Sequence, residues 1–191
     1  MQAGHARSAE LPGDFAIWVF IFAELAVFAL LFGAYALARA AHPALFAAGE
    51  QALDRRMAAA ETVLLLSSGM AVAQAAHAVV RDRLRACRAW LHAALGLGCG
   101  FALLKSVELH ADLARGVSLS ADLFDMFYLS LNVFHFMHVL MGLVILGAVT
   151  RNAHAGRYDA AHPTGVLTGA AYWHMVDLLW IVLFFLLYVS H

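Results

Sequence analysis

The chain has 191 residues, of which 63% are hydrophobic and 13% are charged, and its formal net charge is −1 at pH 7. About a quarter of the residues in a typical soluble domain are charged, so this composition indicates an integral membrane protein. The near-neutral charge argues against a nucleic-acid partner, because proteins that bind nucleic acid present a basic face. Cys87 and Cys99 fall on one predicted helix, about 18 Å apart along its axis, which is too far for a disulfide.

Five apolar stretches are each long enough to cross a bilayer as a helix, since a hydrocarbon core of about 30 Å needs about 20 residues. The sequence therefore predicts an all-α fold, an integral membrane bundle of five transmembrane helices in a single domain, residues 1–191. The predicted helices span about residues 15–38, 58–80, 89–109, 123–149 and 166–190. The first stretch is too long for the apolar part of a signal peptide, so we expect it to remain as an anchor.

Arginines are distributed unequally between the two ends of the predicted bundle. Seven lie on the side of the amino terminus and four on the opposite side: Arg7, Arg81, Arg83, Arg85, Arg88, Arg151 and Arg157 against Arg39, Arg55, Arg56 and Arg115. Positive charge favours the cytoplasmic side of a membrane. We therefore predict a cytoplasmic amino terminus and a periplasmic carboxyl terminus.

Glu24 lies in the middle of the first predicted helix, about 14 Å from its start at 1.5 Å per residue. An ionised carboxylate that faces lipid at this depth is costly, so we expect Glu24 to face the bundle, to pair with a donor or to stay protonated. A functional interpretation makes it a proton-relay or gating carboxylate. A structural interpretation makes it a neutral acid that is hydrogen-bonded to a neighbouring helix. The sequence leaves both interpretations open.

The last two predicted helices carry polar residues at similar depth. Asn132, His135 and His138 are spaced by three, and so are His174 and Asp177, which places each set on one broad helix face. We predict a buried polar network where three helices meet, formed by Glu24, His135, His138, His174 and Asp177. Histidines can ligate haem or metal, but no two-tier bis-histidine pattern and no nearby thiolate is visible. The favoured interpretation is a hydrogen-bonded network with no metal, cofactor or catalytic residue.

Two charged residues of the third predicted helix, Lys105 and Glu108, are one turn apart and are expected to pair. Glu61, near the same end of the second helix, is a candidate third member of this structural ion pair. The sequence shows no internal repeat and no broken helix at mid-membrane, two features of transporters. Nucleotide-binding, zinc-protease and nucleophile-elbow motifs are also absent from it. The residues alone thus indicate a five-helix bundle with a buried polar core.

Several segments resemble subunit III of the haem–copper oxidases. WVFIFAEL at residues 18–25 is similar to the glutamate-bearing helix of that family, and ETVLLLSSGMAVAQAAH at residues 61–77 is similar to its next helix. NVFHFMHVLMGLVIL at 132–146 and the closing YWHMVDLLWIVLFFLLY at 172–188 follow in the family's order. The resemblance covers the chain from Pro12 onward. It places the following residues on family motif positions: Trp18, Glu24, His77, Glu108, Asn132, His135, His138, Trp173, His174, Asp177 and Trp180.

The resemblance implies a non-catalytic subunit of the bacterial inner membrane that binds no haem or copper itself. Its expected partners are membrane lipids and a catalytic, haem-bearing membrane subunit, which holds haem and copper or non-haem iron. A structural phospholipid is a further expectation from the resemblance. The chain departs from the family in two ways: it lacks the two leading helices that wall a lipid-filled cleft in the longer form, and Lys105 occupies a glutamine-like position.

The closing helix and the short loops resemble most the NorE-type accessory protein of nitric oxide reductase. This resemblance implies that the protein supports the assembly, stability or proton uptake of the catalytic subunit during nitric oxide reduction. The alternative is subunit III of a bacterial cytochrome c oxidase or quinol oxidase. Two remoter alternatives are a small b-type cytochrome, which would show a Soret band on its own, and a proton carrier, which would show flux in liposomes without a partner.

Overall fold

The computed structural model describes residues 15–189. It contains α1, Phe15–Ala41; α2, Pro43–Ala52; α3, Arg55–Val80; α4, Leu84–Ala114; α5, Leu123–His154; and α6, Thr164–Phe184, which continues as a π-helical turn, Phe185–Val189. Between residues 15 and 189 there is no strand. All helices except α2 are long and apolar enough to span a bilayer. The predicted all-α bundle of five transmembrane helices is therefore confirmed.

Successive spanning helices run in opposite directions, so the bundle has two ends. The arginine-rich end comprises the loops 81–83 and 155–163 together with the starts of α1, α4 and α6. The α2 end comprises residues 42–54 and the loop 115–122. The arginine distribution predicts that the arginine-rich end faces the cytoplasm, and this orientation stays a prediction.

The spanning helices are longer than the sequence predicted. α4 spans Leu84–Ala114 rather than about 89–109, so Arg85 and Arg88 lie within this helix and not in the loop before it. Hydropathy marks the part of a helix that lies in hydrocarbon, whereas long cationic side chains let the helix continue into the interface. The predicted end of the last helix at Ser190 lies outside the described residues.

The linker after α1 contains a short helix, α2, which was not predicted from the sequence. A proline opens it, which suits a helix start because the fixed φ and the missing N–H are both tolerated there. Glu50 fixes α2 to the end of α1, since its carboxylate accepts a hydrogen bond from Tyr35 at 2.9 Å and pairs with Arg39 at 2.9 Å. Phe46 packs edge-on against Tyr35 and Phe124. An anchored helix therefore covers this end of the bundle.

Helices α3, α4, α5 and α6 form a four-helix core in which each packs against the next and α6 returns to α3. α1 packs outside this core, against α5 and α6. The buried residues of α1 are Ile21, Phe28 and Tyr35, which are seven apart and therefore form one narrow stripe. The opposite face of α1 is apolar and exposed in the isolated chain, at Phe15, Val19, Phe22, Leu30 and Leu37.

Candidate functional site

Glu24 and His138 form a pair between α1 and α5. Oε2 of Glu24 lies 3.0 Å from Nε2 of His138, whose Nδ1 lies 2.7 Å from the carbonyl oxygen of Phe134. Because Nδ1 donates to that carbonyl, Nε2 of a neutral ring is an acceptor and takes a hydrogen bond from protonated Glu24. A charged His138 instead donates to ionised Glu24. In both states the pair carries no net charge, which suits the membrane interior.

The Glu24–His138 pair is held between aromatic rings but is not sealed from its surroundings. Phe28 and Phe134 pack around the imidazole with ring centroids 5.3 Å and 4.8 Å away. The hydroxyl of Tyr172 donates to the backbone carbonyl of His138 at 3.1 Å. The side chain of Glu24 nevertheless remains 21% exposed and that of His138 12% exposed. A neighbouring molecule can therefore reach this carboxylate at the boundary between α1 and α5.

His135 lies on the other side of α5, inside the four-helix core. Its Nε2 lies 3.2 Å from the carbonyl oxygen of Val176 on α6, so a ring N–H donates to this carbonyl. The ring packs against Phe101 and Trp180. His135 is completely enclosed and acts as a hydrogen-bonded link between α5 and α6.

His174 and Asp177 form a third set, on the face of α6 that meets α3. Nδ1 of His174 lies 3.4 Å from Oδ2 of Asp177. Asp177 is buried directly against Gly69 of α3, where a Cβ would collide with its carboxylate. Its other oxygen, Oδ1, has no hydrogen-bond partner within residues 15–189. His174 is half exposed, so this set opens onto a shallow groove between α3 and α6.

The structure thus joins Glu24 to His138, and His174 to Asp177, but its described hydrogen bonds do not connect the two pairs with each other or with His135. The prediction of one shared network is corrected to three separate sets. The reason is geometric. Positions three apart on a helix differ by about 60° in direction and about 4.5 Å in height, so their side chains reach different neighbouring helices.

Lys105, Glu108 and Glu61 meet in the interior, at the position expected for the structural ion pair. Nζ of Lys105 lies 2.7 Å from Oε2 of Glu61 and forms a second ion pair with Glu108. The ammonium also lies 3.3 Å from Oδ1 of Asn132 and 4.6 Å from the centroid of the Trp180 ring. All three charged side chains are buried. We call them the buried triad.

Further polar residues extend the buried triad towards the α2 end. Tyr188 donates to Oε1 of Glu108 at 3.4 Å, and Tyr128 donates to Oδ2 of Asp112 at 2.8 Å. Asp112 also forms an ion pair with Arg115 at the end of α4. The hydrogen bond to Asp112 and the opposite charge of its carboxylate raise the pKa of the Arg115 guanidinium above its usual value.

Asp112 was missed because the third helix was predicted to end at residue 109. The buried positions of α4 follow alternating steps of four and three, and Phe101, Lys105, Glu108 and Asp112 continue this pattern. Such spacing is the signature of one buried helix face. Extending the same stripe by one more step would have placed Asp112 beside the triad.

The remaining residues on family motif positions fall into two groups. Trp173 is fully buried in the core, and Trp180 donates from Nε1 to Oγ1 of Thr62 at 2.9 Å. Trp18 and His77 instead line an apolar groove of about 480 Å³ between α1, α3 and α6. The motif positions therefore serve both the core and a surface that a lipid or partner helix can cover.

Within residues 15–189, no three His, Cys, Asp or Glu side chains are arranged to hold a metal ion. Both ring nitrogens of His138 already have partners, and His135 is bonded to a backbone carbonyl and enclosed by aromatic rings. This arrangement supplies paired acids and bases rather than iron ligands. The fold and this interior define a five-helix membrane protein whose polar side chains are paired inside the bundle.

A family model for cytochrome c oxidase subunit III matches residues 2–190. The chain belongs to the cytochrome c oxidase subunit III family. It is 32% identical over 172 residues to cytochrome c oxidase subunit 3 of Thermostichus vulcanus, which covers 90% of this chain and 84% of the relative. It is 31% identical over 176 residues to that of Synechocystis sp., covering 92% of this chain and 74% of the relative. A probable cytochrome c oxidase subunit 3 of Nocardia farcinica is 25% identical over 170 residues, covering 89% and 84%.

Subunit III of the haem–copper oxidases is non-catalytic, binds no redox cofactor itself and associates with the catalytic subunits. The chain is accordingly a multi-pass bacterial membrane protein with an accessory role. These relatives carry the names of oxidase subunits. They do not support the expected closeness to the NorE-type protein or a role in nitric oxide reduction, and the oxidase alternative fits them better.

Proposed function

We propose that this chain is subunit III of a bacterial haem–copper oxygen reductase, a cytochrome c oxidase or a quinol oxidase. Its role is to stabilise the catalytic subunit during turnover and to support proton uptake. The names and the coverage of the relatives support this assignment. The structural observation that carries it is the Glu24–His138 pair, a carboxylate at membrane depth that is held by an imidazole and remains partly exposed.

The pair suits a supporting role in proton uptake because it can change its protonation pattern without changing its charge. A proton moves across the 3.0 Å between Oε2 of Glu24 and Nε2 of His138 and leaves the sum of the two charges at zero. A charge in an adjacent subunit biases the position of this proton through a low-dielectric medium. The subunit thereby responds to the protonation state of its partner and takes no part in electron transfer.

The outer surface of α1 and the apolar groove support a role in packing lipid against the partner. The groove has a volume of about 480 Å³ and is lined mostly by apolar side chains. Trp18, His77 and His174 contribute the side chains in its lining that carry polar atoms. An acyl chain matches a groove of this chemistry, because burying its methylene groups is favourable and requires no hydrogen bonds. A phospholipid bound there would fill the space between α1 and α3.

Deletion of the gene for this chain tests the proposal in the membranes that contain it. We expect oxygen consumption to begin near the normal rate and to decline over successive turnovers faster than in the parent strain. Restoring the wild-type gene should restore the stability of turnover. Nitric oxide reduction measured in the same membranes should not change. Loss of nitric oxide reduction with undisturbed oxygen consumption would contradict the proposal and favour the NorE-type function.

A further inference from the structure

We propose that Glu61 and Glu108 share one exchangeable proton, and that Tyr188, Tyr128 and Asp112 connect this proton-binding site to water at the α2 end. The site is distinct from the Glu24–His138 pair and lies in the other half of the bundle. The inference does not depend on the identity of the partner subunit, because every group that it uses belongs to this chain.

The charge of the buried triad requires a proton. Glu61 and Glu108 contribute two negative charges when ionised and Lys105 contributes one positive charge, while the three residues are only 0%, 6% and 2% exposed. An uncompensated charge in a low-dielectric interior is costly, and such a group binds a proton instead of remaining charged. One proton leaves the triad with a carboxylic acid, a carboxylate and an ammonium, and therefore neutral.

The contacts within the triad place this proton on the two carboxyl groups that flank Lys105. Lys105 reaches one oxygen of Glu61 and one of Glu108, and Tyr188 donates to the other oxygen of Glu108, which leaves Oε1 of Glu61 to be satisfied. Both carboxylates contact the same ammonium of Lys105, so Glu61 and Glu108 lie close to each other. Oε1 of Glu61 is fully buried and has no donor within the described part of the chain. A proton on either carboxyl group removes the repulsion between two like charges, and on Glu61 it neutralises the carboxyl group that lacks a second donor.

The other charged or titratable groups that face the triad from the neighbouring elements do not change its need for one proton. They are Asp112 and Arg115 at the end of α4, His135 and Tyr128 on α5, and Tyr188 on the π-helical turn. Asp112 and Arg115 neutralise each other. His135 is bonded to a backbone carbonyl of α6, and tyrosine hydroxyls are neutral at physiological pH.

A chain of hydrogen-bonding groups leads from the triad to the α2 end. Tyr188 donates to Glu108 at 3.4 Å and Tyr128 donates to Asp112 at 2.8 Å. The two tyrosine side chains are near enough to influence each other, and the proposed proton transfer crosses between their hydroxyls. Asp112 lines a cavity of about 190 Å³ together with Asp125. The cavity is polar on this side and large enough for several water molecules.

Proton transfer along this series of hydrogen-bonding groups conserves protons and charge at every step. A hydronium ion in the cavity gives one proton to Asp112 and becomes water. The hydroxyl of Tyr128 turns away from Asp112, and each tyrosine then accepts one proton and passes its own hydroxyl proton on, so that both rings end neutral. Glu108 receives the proton and shares it with Glu61, and the charge of the triad changes from negative to zero. Release follows the same steps in reverse.

Infrared spectroscopy of the full chain in lipid nanodiscs tests the shared proton. The chain has only five glutamates: Glu10, Glu24, Glu50, Glu61 and Glu108. Labelling their carboxyl carbons with ¹³C separates them from aspartates, and a Glu24→Gln background removes the acid that pairs with His138. We expect this background to show the carbonyl stretch of a protonated glutamate at neutral pH. Glu61→Gln and Glu108→Gln should each abolish it, because the remaining carboxylate then pairs with Lys105.

Two results would overturn the shared proton: no protonated glutamate in the Glu24→Gln background, or a band that survives both triad substitutions. If a triad variant does not fold, the assignment is made by elimination with Glu10→Gln and Glu50→Gln. A band that persists in both belongs to the triad. A band that is lost with either of them contradicts the proposal.

The connection to water is tested by the rate at which this band shifts after transfer to D₂O. Tyr188→Phe and Tyr128→Phe each remove one hydroxyl from the proposed proton route. We expect the carboxyl proton to exchange roughly tenfold more slowly in each variant, which corresponds to a barrier increase of about 1.4 kcal/mol. Tyr35→Phe is the matched control, because it removes a buried hydroxyl at the same end that donates to Glu50 instead. Exchange at the wild-type rate in both Tyr188→Phe and Tyr128→Phe would contradict the proposed route.

Discussion

Nζ of Lys105 on α4 lies 2.7 Å from the carboxylate of Glu61 on α3, and both side chains are almost completely buried. The pair joins two neighbouring helices of the core at a depth where solvent compensates neither charge. Removal of one partner therefore costs more than the pair contributes, because the other charge is left buried.

Substitution of Lys105 tests the energetic role of the buried triad. Lys105→Met leaves two carboxyl groups without their cation, and we expect a loss of about 3–5 kcal/mol in the free energy of unfolding. The double variant Lys105→Met/Glu61→Gln removes one acid as well and should recover a large part of this loss. Chemical unfolding in detergent micelles measures both. A double variant no more stable than Lys105→Met would show that the charges are not coupled.

Glu24→Ala tests the pair with His138. The imidazole loses its partner, and since the pair is partly exposed we expect a modest loss of about 1–2 kcal/mol in the stability of the bundle. The haem and copper spectra of the assembled complex should stay unchanged, because the chain carries no redox centre. Leu30→Ala, on the exposed face of the same helix, is the control for stability. A specific loss of haem or copper from the Glu24→Ala complex would refute the non-redox role.

Gly69 tests the close packing of α3 against α6. A Cβ at this position collides with the carboxylate of Asp177, so Gly69→Ala should lower the stability of the bundle by about 1–3 kcal/mol. Gly147→Ala is the matched control on α5, because a Cβ there meets nothing within 4 Å. It should be neutral or stabilising by up to about 1 kcal/mol, since alanine favours a helix. Equal melting temperatures for the two variants would contradict this packing.

Glu50 tests the attachment of α2. Glu50→Ala removes the acceptor shared by Tyr35 and Arg39, and we expect faster amide hydrogen exchange throughout Pro43–Ala52, corresponding to a local loss of about 1–3 kcal/mol. Gln51→Ala, at the exposed neighbouring position, should leave the exchange rates unchanged. If exchange in α2 is the same in both variants, Glu50 does not hold this helix in place.

The transmembrane bundle and the triad could be predicted because both depend on local signals. Long apolar stretches must become helices in a bilayer, where backbone groups have no other partners. Lys105 and Glu108 are one turn apart on the same stripe, and a buried charge must find its counterion. Glu61 is the nearest charge at that depth on the helix that α4 folds back against.

The features that were missed depend on helix placement. The division of the predicted network follows from the position of α1 outside the core, so that His138 meets Glu24 while His135 meets α6. Composition does not specify which helix lies outside.

Affinity purification of the tagged chain from gently solubilised membranes tests the central claim most directly, with the partners identified by mass spectrometry and the haems by absorption. We predict co-purification of a haem–copper oxidase catalytic subunit that consumes oxygen. The chain separated from this complex should show no Soret band. Co-purification with the catalytic subunit of a nitric oxide reductase, or haem that stays with the isolated chain, would contradict the account.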